Sequence, residues 1–403
     1  LSGDGLHPDL HPDPVEGAPP FLIAKRLESA ALPTVLLYGH GDVIYGQEDY
    51  WHEGLYPFAT TKRDGFIYGR GTADNKGQHL INLLALKAVL DVKSKLGFNV
   101  TLLLEMGEEI GSPGLSEFCK ERKEDLDADF LLGSDGPRLM IDTPTVFLGA
   151  RGALNFDLEI NLREGGLHSG NWGGLVADPA IRLSQALASI TDARGQIQIS
   201  DWIPTSLTQK VRDIIASLPP AEQQEHFIDL NWGEEALSPN ERVFGWNSFA
   251  ILAMISGNPE KPVNAIAGSA RATCQLRYVV GTNAKNIIPA LRKHLDDHGF
   301  EDIKVSPDKK VTFAATRQNA DNVWVNRVMK ILEVRSGLTP HLLPNLAGSL
   351  PNECFSEVLG LVTIWLPHSY RQCCQHAPNE HIPEALFHNA IKLTAQLFND
   401  LGS

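Results

Sequence analysis

The feature that most constrains this chain is a repeated join between a short apolar run and a polar residue fit for chemistry. Val35–Tyr38 runs into Gly39-His40, Val100–Leu104 into Glu105, and Phe130–Leu132 into Gly133-Ser134-Asp135. Between the first two runs, Gly77 to Lys93 carries apolar residues at three-to-four spacing, the period of a helix. Strand, helix, strand in that order specifies a largely parallel α/β sheet. In an open sheet of this kind, the crevice outside the carboxyl ends of the strands is where ligands bind.

A different texture begins at Arg151. Ala153–Leu162 alternates like a half-buried strand, a Gly-rich turn follows, and a helix spans roughly Asp178 to Ile190. A second set, Ala270–Val280, Ala284–His298 and Lys304–Ala314, pairs with the first into a β-α-β-β-α-β unit. The stretch 196–262 between them holds three of the seven tryptophans and no clear motif. After Asn322 the α/β texture resumes with a helix, the apolar run Leu359–Leu366 and a last helix from Pro383 to Leu401. The expected architecture is therefore an α/β domain over 1–149 and 316–403, with a mixed, mainly parallel sheet flanked by helices. An inserted α+β lid-like domain over 150–315 interrupts it. The proline-rich opening from Gly3 to Pro20 reads as a loop or linker that holds no core.

Composition narrows the function classes. At about 150 residues per domain, 403 residues suggest two or three domains, each with its own core. A net charge of −14 repels phosphate backbones and anionic lipid surfaces, which excludes nucleic acid and membrane surfaces as partners. The most apolar helical stretch, Leu80 to Leu90, falls far short of the ~20 residues a membrane span needs. Five scattered cysteines, two of them adjacent, do not form a disulfide framework, and the expected compartment is the reducing cytoplasm. The chain begins at Leu1 with no charged-then-apolar leader, so a processed or shortened start is expected.

Four α/β segments place a possible metal ligand at or just beyond an apolar run: His40, Asp74, the Glu108-Glu109 pair and Asp135. Asp42, two residues after His40, can accept the second ring N–H that a metal-bound histidine usually donates. Asp74 precedes a helix, so an N-cap role and a two-oxygen bridge between ions are both open to it. One of Glu108 and Glu109 can coordinate an ion while the other takes a proton. His376 stands in the late polar stretch Gln375–His381, with His381 a competitor on spacing alone. A His/carboxylate set without cysteine suits a hydrolytic metal pair better than a structural zinc site.

Gly39-His40-Gly41-Asp42, Gly69-Arg70-Gly71-x-x-Asp74-x-Lys76-Gly77, Glu108-Glu109-x-Gly-Ser, Ser134-Asp135 and the late His376 together resemble one metallopeptidase family. It is the co-catalytic dinuclear zinc family of carnosinase, cytosolic dipeptidases, aminoacylase, glutamate carboxypeptidase, acetylornithine deacetylase and succinyl-diaminopimelate desuccinylase. The likeness runs from Pro33 onward and is nearest the carnosinase and dipeptidase branch. It implies one ion on His40, Asp74 and Asp135, and a second on Asp74, Glu109 and His376. It also implies Glu108 as general base, Asp42 as the residue orienting His40, and a cis peptide after Asp74. In Gly166–Gly174, His168 resembles the histidine that reaches a partner subunit's site, which implies a homodimer formed through the inserted domain. Arg277 matches the arginine that clamps a substrate carboxylate, and Asn264, Gly348 and Ser349 match substrate positions more loosely. Asp at 135, rather than Glu, tilts the substrate toward a peptide.

The reading is thus a hydrolase of dipeptide-like amide bonds using two divalent ions, zinc by default, with manganese or cobalt also suited. Two alternatives stand beside it: an N-acyl amino acid deacylase of the same family, and a catalytically silent metal-binding relative. The family ordinarily opens with a helical segment, where this chain has about thirty proline-rich residues.

Overall fold

The computed structural model describes residues 5–221 and 228–403, except the side chains of 309–312. Residues 3–4 of the opening stretch and 222–227 of the 196–262 insertion lie outside the described residues. The chain divides into two compact units, Leu1–Ala150 with Thr316–Ser403, and Arg151–Ala315.

The first unit is built on a sheet of eight strands in the order 7–11, 21–26, 99–105, 34–40, 130–133, 362–365, 145–147, 341–343. Strands 99–105, 34–40, 130–133 and 362–365 run parallel, and the sheet turns antiparallel at 21–26 and at 145–147. The central runs are apolar on both faces because both faces are covered: strand 34–40 is buried from Val35 to His40, and 99–105 throughout. On one face Val35, Leu37, Leu102 and Leu132 pack on Leu86 and Val89 of helix 76–93, Val328 of helix 323–336 and Phe398 of helix 384–401. Burying a side chain such as Leu37 this completely contributes roughly 1.5–3 kcal/mol. On the other face Tyr38 meets the rings of Phe355 and Trp365 edge-on, and Phe21 stacks on Phe118 at 4.3 Å.

The opening stretch differs from expectation. His7–His11 forms an edge strand on Phe21–Arg26, and Leu6 is buried in the main core. The prolines conceal it: Pro8 sits in an edge strand, where a missing N–H disrupts no inner ladder.

In the second unit four antiparallel strands lie in the order 248–255, 269–278, 152–161, 304–313. Phe156, Leu158, Leu276, Leu183, Leu187, Leu291 and Leu295 join its inner face to helices 179–190 and 287–297. The opposite face is polar, with Arg271 and Thr273 both donating to Asp157. Strand Ser248–Ile255 lies within the stretch that carried no motif. It is an apolar edge strand without alternation, and Ile251, Leu252, Met254 and Ile255 are all exposed. Among the described residues no helix is long and apolar enough to cross a membrane.

Candidate metal centre

Register in the parallel sheet brings the chemistry together. His40 pairs with Glu105 and Tyr38 with Gly133, so strands 34–40 and 99–105 end level and neighbouring strand 130–133 ends two residues earlier. His40 closes strand 34–40, Glu108 and Glu109 follow strand 99–105 in a short 3₁₀ turn, and Asp135 lies two residues beyond strand 130–133. Asp74 stands in the loop before helix 76–93, and the Asp74–Asn75 peptide is cis. The helix N-cap is Asn75, so Asp74 keeps its carboxylate for the crevice. His376 comes from the turn before strand 381–383, with left-handed φ of 58°.

Two groups result, each offering three ligand atoms within 4.8 Å of one another: His40, Asp74 and Asp135, and Asp74, Glu109 and His376. Asp74 belongs to both through different oxygens. Its Oδ1 lies 3.3 Å from His40 Nε2, and its Oδ2 lies 3.2 Å from His376 Nε2. Asp135 Oδ2 is 3.6 Å from His40 Nε2, and Glu109 Oε2 is 2.9 Å from His376 Nε2. His381 stays outside: it accompanies Phe66 and Tyr68, and its Nδ1 faces the Asn379 carbonyl at 2.8 Å.

The electrostatics fit a cation pair. Burial pushes Asp135 up to about 7, with the Asp74 charge adding to it. Burial also raises Glu108 well above the carboxylate range, His40 opposes this, and Asp135, Glu105 and Asp74 reinforce it. Burial alone would raise Asp74, yet the imidazoles of His376 and His40 beside it hold it low. His376 is pushed up to about 10 by Asp74 and Glu109. His40 Nε2 is buried without a hydrogen-bond partner. Crowded carboxylates and an unpartnered imidazole nitrogen aimed among them form a donor set whose repulsion two divalent cations would offset.

Asp42 does more than face His40 Nδ1 at 3.3 Å. Its Oδ1 accepts the Glu108 N–H at 3.2 Å and its Oδ2 the Glu109 N–H at 3.0 Å, so one carboxylate fixes a histidine and the acidic turn together. Behind them Tyr38 donates to the buried Glu105 at 2.5 Å, and Ser112 donates to the same oxygen. Cys373, buried and with its thiol pushed up to about 12 by burial, belongs to neither group.

The remaining sequence candidates are not members of these two groups. His168, exposed in the second unit, caps a short helix with Nδ1 accepting the Gly170 N–H at 3.1 Å. The neutral ring therefore carries its proton on Nε2. The Asn264 carbonyl accepts from the Ser169 N–H and hydroxyl. Arg277 lies on strand 269–278 opposite Ala153 and Ser248, its guanidinium pKa lowered by burial. Gly348 and Ser349 sit half-buried in the loop after strand 341–343 of the first unit. Sequence reasoning gave no role to Arg70, Asn75 or Glu380, although the carboxylate four residues after His376 was a readable signal.

A mixed α/β sheet whose strand ends deliver two triads of possible metal donors sharing one carboxylate has the donor arrangement of a two-ion site. The model of peptidase family M20/M25/M40 matches residues 36–400, and the chain belongs to that family. The human Beta-Ala-His dipeptidase is 32% identical over 407 residues, covering 95% of this chain and 78% of that protein. The rat Beta-Ala-His dipeptidase is 35% identical over 184 residues, 45% of this chain and only 37% of that protein. Among solved structures, the M20 family metallo-carboxypeptidase Sso-CP2 from Sulfolobus solfataricus superposes with a TM-score of 0.82 at 25% identity. That superposition covers 99% of this chain and 91% of the other.

Proposed function

We propose that this protein is a metallodipeptidase that cleaves small peptides at a two-ion centre. The observation that carries the reading is Asp74, whose two oxygens face two different imidazoles at 3.3 and 3.2 Å. His40, Asp74 and Asp135 would hold one ion, and Asp74, Glu109 and His376 the other. Zinc is the default, and manganese and cobalt suit the same oxygen-rich set. When bound, such a pair polarises the scissile carbonyl and acidifies a water.

The chain's own residues then handle the proton and the substrate. Glu108, in neither donor group and lifted in basicity by burial and neighbouring carboxylates, takes the proton from the attacking water and passes it to the leaving amine. Asp42 holds the imidazole of His40 and both backbone amides of the acidic turn. Arg277 would bind the substrate carboxylate, with Asn264, Gly348 and Ser349 contributing further contacts. His168, with its proton on Nε2, would donate to the developing oxyanion of a partner subunit's site.

A homodimer through the second unit is part of the proposal, supported by the exposed apolar strand Ser248–Ile255. Five free thiols, four of them buried, support a reducing, cytoplasmic setting. Dipeptides are favoured over N-acyl amino acids because relatives that align along nearly the whole chain carry dipeptidase names.

The test is metal content per chain, paired with a panel of dipeptides and N-acyl amino acids before and after chelation. Two ions and chelator-sensitive dipeptide cleavage are expected. Cleavage of the N-acyl substrates alone would shift the reading to a deacylase, and failure to bind metal or cleave anything after zinc or manganese reconstitution would overturn it.

A further inference from the structure

Outside the donor groups, one buried acid gathers several directed contacts. Glu380 is fully buried. Its Oε1 accepts three backbone N–H groups, from Gly71 at 3.1 Å, Ala73 at 2.9 Å and Asp74 at 2.9 Å. Its Oε2 accepts from Arg70 Nη1 at 2.8 Å, and its backbone carbonyl accepts the Gly69 N–H at 3.0 Å. Arg70 Nη1 also donates to the Ala377 carbonyl at 3.0 Å, and the guanidinium lies over the Trp51 ring. Arg70 is thus four residues before Asp74 and Glu380 four residues after His376, and the buried pair fastens the two loops to each other.

We propose that Glu380 is a positioning residue that sets Asp74 and His376 in register, and so governs occupancy of the second ion site in particular. This rests on the two-ion reading above. The selectivity follows from where the ligands are anchored. In the first group His40 and Asp135 are held by parallel strand ends and need nothing from Glu380. In the second group, Asp74 and His376 both lie on the loops that Glu380 joins, which leaves Glu109 alone anchored independently. No other side chain of similar length performs the same task. Aspartate is one methylene short of spanning three amides and a guanidinium. Glutamine has one acceptor oxygen for four donors, so its NH₂ must face a donor in either orientation.

The experiment is titration of metal-free protein with Co²⁺ and with Zn²⁺, reading ions bound per chain, stepwise affinities and the cobalt visible absorption. Wild-type protein and Glu380→Gln are compared. The double variant Glu380→Gln/Arg70→Met is included because it leaves no unpaired buried charge if the single variant folds poorly. The wild type is expected to take two ions. Both variants should lose roughly 10- to 100-fold in affinity for the second ion, the usual size of an outer-shell effect on a metal, and less for the first, which has only Asp74 on a loop that Glu380 fastens. A folded variant whose second-ion affinity stays within threefold of wild type overturns the inference, even if its melting temperature falls. Equal loss at both sites overturns the selectivity argument. A wild type that never binds a second ion overturns the two-ion reading itself.

Discussion

Replacing Asp42 by asparagine removes one charge and no volume, so its effect can be worked out contact by contact. Three donors converge on this carboxylate: the Glu108 N–H at 3.2 Å, the Glu109 N–H at 3.0 Å and His40 Nδ1 at 3.3 Å. If His40 Nε2 is the metal ligand, Nδ1 carries the proton and is a true donor. Asparagine offers one acceptor oxygen, so at least one donor must face its NH₂. Leaving a buried donor unmade costs about 1–3 kcal/mol, and the surviving bonds lose their ionic assistance, about 1 kcal/mol more. The expected loss is about 2–4 kcal/mol of transition-state stabilisation, or roughly 30- to 1000-fold in kcat/KM at about 1.36 kcal/mol per decade. The assay is dipeptide cleavage at saturating metal, with ions per chain measured on the same samples. Asp42→Asn should retain bound metal while kcat falls, since Asp42 is in neither donor group. A variant within threefold of wild-type kcat/KM would refute the reasoning, because the acidic turn would then hold its place without the carboxylate.

Glu108→Gln should keep both ions and lose roughly 10²–10⁴-fold in kcat, the range for a positioned general base; wild-type turnover would exclude Glu108 from that role. Metal-free protein at pH 7 should release protons on binding zinc, because His376 is held up to about 10 and must become neutral to ligate. The raised pKa sets the sign: release is largest well below pH 10 and vanishes above it, while zinc affinity climbs with pH, as titrations in buffers of different ionisation heat will show. His168→Ala and Glu108→Gln proteins, each crippled, should regain activity when mixed if His168 serves a partner's site, and the absence of recovery in a confirmed hybrid dimer would remove that role.

Much of the fold was readable because the central strands carry their evidence locally. Val35–Tyr38, Val100–Leu104 and Phe130–Leu132 are apolar without alternation, as strands covered on both faces must be, and helix 76–93 shows its period. Several strands were hidden, among them Phe21–Arg26, Thr145–Phe147 and His341–Leu343 of the main sheet. His7–His11 is disguised by prolines that an edge position tolerates, and Ser248–Ile255 lacks alternation. An edge strand is specified by what it pairs with, which sequence separation conceals.

The sequence alone determined which residue types stand at the strand ends, because a motif such as Gly39-His40-Gly41-Asp42 is contiguous and its chemistry belongs to its side chains. Tertiary structure alone decided how those residues are shared out. That Asp74 turns one oxygen to His40 and the other to His376, across some three hundred residues of chain, depends on parallel register and loop packing. The same holds for Asp42, which joins His40 to the Glu108–Glu109 amides, and for Glu380, which gathers the amides of 71, 73 and 74. Backbone donors are alike in every residue, so no residue letter records which carboxylate they will meet; only the folded chain brings them within hydrogen-bonding distance.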